Sequence, residues 1–434
     1  MSQEPAHRAN APALRRLILC FDGTWNTPED QTNVSRIYAA IADQHAGCKS
    51  QLKFYDAGVG TTLGSRITGG ALGRGIDQNI LEGYCWLINH YPKDAGKSQP
   101  EADGEVFDAG PEIFIFGFSR GAYTARSLAG LINRCGLPKL EKVIELESSR
   151  NGGKVTDQAN PAARPDFKLI DDAWKLYRRD FPQGVEARKE PECLSFRNKY
   201  CRNIKVKFLG VWDAVGTLGV PLLSRSVFAR RKYGFHDTNL GRIIEYAYHA
   251  IAIDEQREDY QATLWKAKHA VGTLAVEQRW FPGAHGNVGG GYEDDLLPDP
   301  PLKWMAEHAL KHGLEFTDEF KMRLRDTVIC KRTLPHDFEL RGDEYLSPVR
   351  DSYAEFLFGA YRFLRALRLR GRYYRPMLTS GVGETIDETA HMKWAADPRY
   401  RPQNFAYAGR LDFSPSSAVT PVIPTAAPAA PGNI

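Results

Sequence analysis

Short apolar runs rich in β-branched and aromatic residues recur along the chain, at Arg16 to Phe21, Leu52 to Tyr55, Glu112 to Phe116, Ile204 to Trp212 and Ala275 to Phe281. They are short and rich in residues that favour strands, a pattern of strands buried in a parallel sheet. Between them lie segments that read as helices: Gly75 to Asn89, Gly121 to Cys135 with Gly136 and Pro138 as its stop, and Leu240 to Ala252. This alternation predicts an α/β fold, a mostly parallel central sheet with helices on both faces. The segments 137–203 and 221–238 fit it poorly and are expected to be cap-like insertions above the strand ends, over an active site.

The polar start, 1–14, and the Ser/Pro/Ala-rich end, 412–434, read as disordered tails, which leaves 15–411 as one domain. A chain of 434 residues, 42% hydrophobic and 25% charged, is long enough to bury a large core. Its net charge of +4 is spread without a basic stripe, so nucleic acid is not an expected partner. Seven cysteines form no C-x-x-C pair and read as thiols of a reducing compartment. The N-terminus has no apolar h-region and no run is long enough to span a bilayer, so synthesis in the cytoplasm without a cleavable signal is expected.

The strongest chemical signal is the stretch EIFIFGFSRGAYTARSLAGLINRC, in which a strand runs into Gly117-Phe118-Ser119-Arg120-Gly121 and then into a helix. Gly-x-Ser-x-Gly in that setting is a nucleophile elbow. The turn is so tight that side chains two positions either side of the serine collide with the neighbouring strand and helix, hence Gly117 and Gly121. The competing structural explanation is a small polar residue capping a helix. As nucleophile, Ser119 has the positive end of the following helix aimed at it, and the Arg120 N–H becomes one donor to an oxyanion.

A serine nucleophile needs a base and an orienting acid, in the chain order Ser, Asp or Glu, His. Asp213, at the end of VKFLGVW, is the candidate acid, with Asp254, Asp294 and Asp295 as competitors; His285, in the glycine-dense PGAHGNVGGGY, is the candidate base. His249 reads as a packed interior histidine with helical neighbours. The stretch LILCFDGTWN supplies a second oxyanion donor from Gly23 or Thr24, with Asp22 shaping the loop and Trp25 and Phe118 as pocket candidates. The same stretch resembles half of a phosphatase motif, Asp-x-Asp-Gly-Thr, with Cys20 where the attacking Asp belongs.

No metal-binding spacing occurs, and no P-loop is present in the glycine-rich GVGTTLGSRITGGALGRG, which contains Gly73 and Gly75 and reads as a flexible loop; no metal or cofactor is expected. From Tyr353 to Arg375, Phe356, Ala360, Phe363, Leu364 and Leu367 share a helical stripe beside Arg365, Arg368, Arg372 and Arg375. Residues 353–375 are therefore a candidate membrane-surface helix, the alternative being an ordinary peripheral helix packed on the core.

FDGTWN, TNV at Thr32 to Val34, GVGT, GFSRGA, GVWD, HAIAIDE, WFPGAHGNVGGGY and YRPQN together resemble an α/β-hydrolase family that includes type VI secretion phospholipase effectors of the first Tle family. The resemblance runs from Arg16 to Phe405 and implies a Ser–Asp–His lipase acting on glycerophospholipids, with Ser119, Asp213 and His285 on the matching motifs. It also implies a secretion-system or immunity protein as partner and export by a type VI system. ETIDETAHMKW departs from the His-Pro-Ser-Val-like stretch usual in the family. A small-ester carboxylesterase and a non-catalytic binding module with this fold are the alternatives.

Overall fold

A computed structural model of the chain describes residues 16–23, 30–42, 51–58, 69–98, 100–101, 104–150, 165–180, 187–216, 240–266, 273–292, 295–325, 342–355, 371–380 and 382–406. Among these, seven strands form the central sheet: β1 Arg16–Phe21, β2 Gln51–Asp56, β3 Glu112–Phe118, β4 Val206–Trp212, β5 Ile244–Ala252, β6 Ala275–Phe281 and β7 Glu384–Ile386. Their order is β7-β6-β5-β4-β3-β1-β2 and every neighbouring pair is parallel. The chain moves outward from β1 to β2 and then returns to place β3 on the other side of β1. The carboxyl ends of β1 and β3 thus flank a switch point, where open α/β sheets bind their ligands.

The helices placed by this path are α1 Asn33–Ala40, α2 Gly69–His90, α3 Arg120–Cys135, α4 Leu140–Arg150, α5 Lys168–Arg178, α6 Pro191–Tyr200, α7 His285–Gly289 and α8 Asp299–Lys311. Alternation along the strands sends Leu17, Leu19, Ile113, Ile115 and Leu209 to one face, under α2, α3 and α5. Ile18, Cys20, Phe114, Phe116 and Phe208 go to the other, under α1 and α8. Each such buried side chain contributes about 1.5–3 kcal/mol of transfer free energy, enough to pin the register of the central strands.

The register brings the carboxyl ends level: Phe21 lies opposite Gly117, Phe118 opposite Trp212, Trp212 opposite Ala250, and Ala252 opposite Phe281. Residues that follow these positions in the chain therefore meet along one edge. This is how segments separated by more than a hundred residues reach a common site.

The expected helix at Leu240 to Ala252 is instead β5. Tyr246, Tyr248, Ala250 and Ala252 pack on the α8 side while Ala247 faces α3, so the true period is two. Burial on both faces and three alanines disguise it, because a doubly covered strand shows no polar alternation. The glycine-rich segment read as a loop is helical from Gly69, and Gly73 and Gly75 lie within α2. Residues 59–68, the expected tails and the expected insertion 221–238 lie outside the described residues.

The described part of 137–203 packs against the C-terminal end of α3. Leu137–Pro138 pairs antiparallel with Cys201–Arg202, so this segment leaves and rejoins at the C-terminal end of α3. Arg197 Nη1 donates to Arg134 O at 3.0 Å, Arg188 Nη1 to Asn133 O at 2.6 Å, and the Cys135 thiol to Ala173 O at 3.4 Å. These contacts lie on the last turns of α3, the end remote from Ser119. The segment buttresses the helix by satisfying its last carbonyls.

Candidate active site

Ser119 connects β3 to α3 with φ 57° and ψ −118°, a left-handed conformation rare for a residue with a side chain. Its N–H is tied to Trp212 O at 3.0 Å. Its side chain makes no capping bond to α3, which sets aside the capping explanation. The flanking glycines have a measurable reason. A Cβ on Gly117 would stand 2.5 Å from Gly121 O, and one on Gly121 would stand 2.1 Å from Phe21 O and 2.5 Å from Asp22 O. Gly121→Ala is therefore expected to lower the midpoint of chemical denaturation by an amount equivalent to about 3 kcal/mol, because backbone at the end of β1 must move. A variant as stable as the wild type would contradict this packing.

The strand ends bring Ser119, His285 and Asp213 together. His285 opens α7 directly after β6, and its Nε2 lies 2.7 Å from Ser119 Oγ; its Nδ1 lies 2.5 Å from Asp213 Oδ2. Burial alone would raise the pKa of Asp213, but the charge of Arg375 and the hydrogen bond to His285 outweigh it and hold the carboxyl well below the usual range. An ionised carboxylate only accepts, so Nδ1 carries the proton and Nε2 is left as the acceptor for the serine hydroxyl. Burial pushes the His285 imidazole pKa down, against the hydrogen bond and charge of Asp213. It is a neutral base at pH 7.

The imidazole is held on both sides. The Phe118 ring lies 4.8 Å from it and the Tyr260 ring meets it edge-on at 5.1 Å. Phe118, expected as a pocket residue, is 3% exposed and supports the histidine; a Cβ on Gly289 would fall within 1.9 Å of its ring, so that glycine makes the space. Arg257 stacks on Tyr260 at 3.5 Å and forms a double hydrogen bond with Glu255, at 2.8 Å each, whose Oε2 also accepts from the His285 N–H at 3.3 Å. The arginine's charge holds the Glu255 pKa at about 2 despite burial, so the pair is ionised.

The competing acids are engaged elsewhere. Asp254 accepts from Gly283 N–H at 2.7 Å and Tyr400 OH at 2.9 Å, with burial raising its pKa to about 6. Asp295 accepts from Asn287 Nδ2 at 2.8 Å and Leu297 N–H at 3.0 Å. Asp294 lies outside the described residues. His249 is fully buried and accepts the Ala214 N–H at 3.1 Å through Nε2; burial and then Arg126 push its pKa to about 3. It is a neutral support for the loop that follows Asp213, on a strand rather than a helix.

Asp22 shapes the turn after β1. Its Oδ1 accepts from Gly23 N–H at 2.7 Å, and its Oδ2 from Thr32 Oγ1 at 2.5 Å and Tyr55 OH at 2.7 Å; burial raises its pKa to about 6. The Gly23 N–H, one of the two expected oxyanion donors, is thus turned to the carboxylate of its own neighbour. Thr24 and Trp25 lie outside the described residues. Cys20 is buried inside the sheet, where burial pushes its thiol pKa up, so the phosphatase resemblance has no nucleophile. Arg120 begins α3 with its N–H in the first turn, where helical N–H groups lack intrahelical partners. Its nearly buried guanidinium has a pKa lowered to about 10 by burial and stays charged at neutral pH.

Arg375 is the functional candidate that sequence reasoning misassigned. Expected among the arginines beside an apolar helical stripe, it is in fact 1% exposed and bound to Asp213, while Arg372 pairs with Asp351 at 2.6 Å. The remainder of that proposed helix, 356–370, lies outside the described residues. Glu255, Arg257 and Tyr260 were also overlooked as individuals, although Glu255 sits in the quoted stretch HAIAIDE. The available signal for Arg375 was the rigid Tyr-Arg-Pro at 374–376, which suits a fixed interior position better than a helix.

A doubly wound parallel sheet carrying a Ser–His–Asp array beside its switch point defines an α/β-hydrolase-like protein. The family described as "T6SS, Phospholipase effector Tle1-like, catalytic domain" matches residues 15–308, and the chain belongs to it. Among curated proteins, uncharacterized protein YEL023C of Saccharomyces cerevisiae is 24% identical over 269 residues, covering 57% of this chain and 32% of the yeast protein. Among solved structures, an uncharacterized protein from Pseudomonas aeruginosa is similar at 15% identity and a TM-score of 0.41, covering 76% of this chain and 49% of that one. The Tle1 effector bound to the VgrG spike of the type VI secretion system is similar at 15% identity and a TM-score of 0.32, covering 65% and 52%. The chain thus spans about a third of the yeast protein and half of each structure.

Proposed function

We propose that the protein is a serine lipase that cleaves carboxylic esters of phospholipids, a phospholipase A-type enzyme. The observation that carries this is the unbroken line Ser119 Oγ to His285 Nε2 at 2.7 Å and His285 Nδ1 to Asp213 at 2.5 Å, in a member of a phospholipase effector family. Ser119 Oγ attacks the ester carbonyl as its proton passes to Nε2. The Arg120 N–H at the positive end of α3 faces the developing oxyanion. The tetrahedral intermediate collapses, Nε2 returns the proton to the departing lysolipid oxygen, and a water activated by the same nitrogen frees the fatty acid.

Among the described residues no helix is long and apolar enough to cross a membrane. On this reading the enzyme meets its substrate at the bilayer surface and is delivered by a type VI apparatus, as its family description implies. Purified protein incubated with phosphatidylethanolamine and phosphatidylglycerol vesicles is expected to release lysophospholipid and free fatty acid in equal amounts, read by mass spectrometry. Turnover of soluble short-chain esters alone would make it a carboxylesterase, and no turnover of either would make it a binding module.

A further inference from the structure

We propose that Arg375 is the fourth member of the Ser119–His285–Asp213 array, a positioning residue that clamps both oxygens of Asp213 and sets how much of its negative charge reaches His285. The proposal rests on the reading of Ser119 as nucleophile. Arg375 Nη1 lies 2.6 Å from Oδ1 and Nη2 lies 3.0 Å from Oδ2, a fork-to-fork pair between side chains that are 1% and 0% exposed. The fork is itself held by two carbonyls, Ala252 O at 2.9 Å from Nη1 and Tyr260 O against Nη2. Asp213 Oδ1 also accepts the Ala252 N–H at 2.9 Å. Each carboxylate oxygen thus receives two donors, and its plane is locked toward Nδ1.

Stability alone is a poor reason for this arrangement, because a buried ion pair is often no better than apolar residues of the same volume. Arg375 also leaves its own Nε–H buried without a partner among the described residues, which costs further. The electrostatic consequence is specific. Without Arg375 the buried Asp213 and neutral His285 would together carry one negative charge, which favours a proton on the imidazole. With Arg375 the array is neutral in its resting state.

The other groups facing the array leave this balance in place. Glu255 and Arg257 act on His285 with opposite signs, and His249 is neutral. Arg375 therefore keeps the base free in mildly acidic solution.

The residue arrives from outside the segment the family description covers, which ends at residue 308. Its segment is stitched to the site by Tyr373 N–H to Gln256 O at 2.9 Å, and by Leu378 N–H to Glu384 of β7 at 2.7 Å. The chain beyond residue 308 thus completes the charge balance of the site.

The test uses the full-length protein and the rate of Ser119 labelling by a fluorophosphonate as a function of pH. In Arg375→Met the acid limb is expected to move up by about one pH unit, because the undivided charge of Asp213 then stabilises protonated His285. In Arg375→Lys, which keeps the charge but loses the fork, the limb is expected at its wild-type position with labelling about tenfold slower. An unmoved limb in a folded Arg375→Met, or a limb that moves equally in both variants, overturns the proposal. If Arg375→Met does not fold, the lysine variant decides: slower labelling with a wild-type limb supports the clamp, and wild-type rates at every pH overturn it. A wild type that labels at no pH would instead remove the reading of Ser119.

Discussion

Ser119→Ala is expected to abolish fluorophosphonate labelling and to lower phospholipid hydrolysis by roughly 10⁶-fold, with the protein still folded. The hydroxyl's hydrogen-bond partner is His285 Nε2, and no helix cap is lost with it. Alanine at φ 57° is strained to about the same degree as serine, so the substitution adds no new backbone cost. The loss is then chemical: no covalent intermediate forms and His285 has no proton to accept. A thermal melt within a few degrees of wild type would accompany the loss. Labelling that survives the substitution would place the nucleophile elsewhere and end the proposal.

Asp213→Asn is expected to lower turnover by roughly 10⁴-fold, by inverting the tautomer rather than removing the base. Ala252 N–H and Arg375 Nη1 both demand an acceptor at the Oδ1 position, so the amide oxygen stays there, and its NH₂ takes the Oδ2 position toward Nδ1, where Arg375 Nη2 loses its acceptor. Nδ1 must then accept, Nε2 carries the proton, and the serine hydroxyl loses its base. This substitution also leaves Arg375 buried without a counter-charge, which costs about 3–5 kcal/mol.

The pH dependence of that stability loss has a definite sign. The folded-state pKa of Asp213 lies below its usual 3.8, so its contribution is complete above about pH 4 and fades only in stronger acid. The difference in denaturation midpoint between wild type and Asp213→Asn should be flat above pH 7, grow as the pH falls toward 5 because the carboxylate also supports a proton on His285, and shrink below pH 4 as Asp213 itself titrates. A difference that keeps growing below pH 4 would contradict an ionised Asp213.

Five of the seven described sheet strands were legible because short clusters of β-branched, aromatic and large aliphatic residues mark them. β5 was not, since alanines and tyrosines covered on both faces carry no periodic polar marker. β7 has three residues, too few for any pattern. The elbow was legible in detail, as Gly117 and Gly121 answer to backbone atoms within a few residues in the chain or on the adjoining strand. The turn after β1 lies against the elbow at Gly121, but the direction of the Gly23 N–H depends on a competition with Asp22 that composition does not rank.

The chain by itself determined the doubly covered parallel sheet and the position of Ser119, since both follow from local sterics and from which residues leave water. Folding alone chose Asp213 over Asp254 and Asp295, because that choice depends on which carboxylate the register of β4, β5 and β6 delivers to Nδ1. It also chose the fate of Arg375, 162 residues from its partner: a guanidinium reads as surface charge in sequence, and only a buried carboxylate with two carbonyls around it makes the interior the better place.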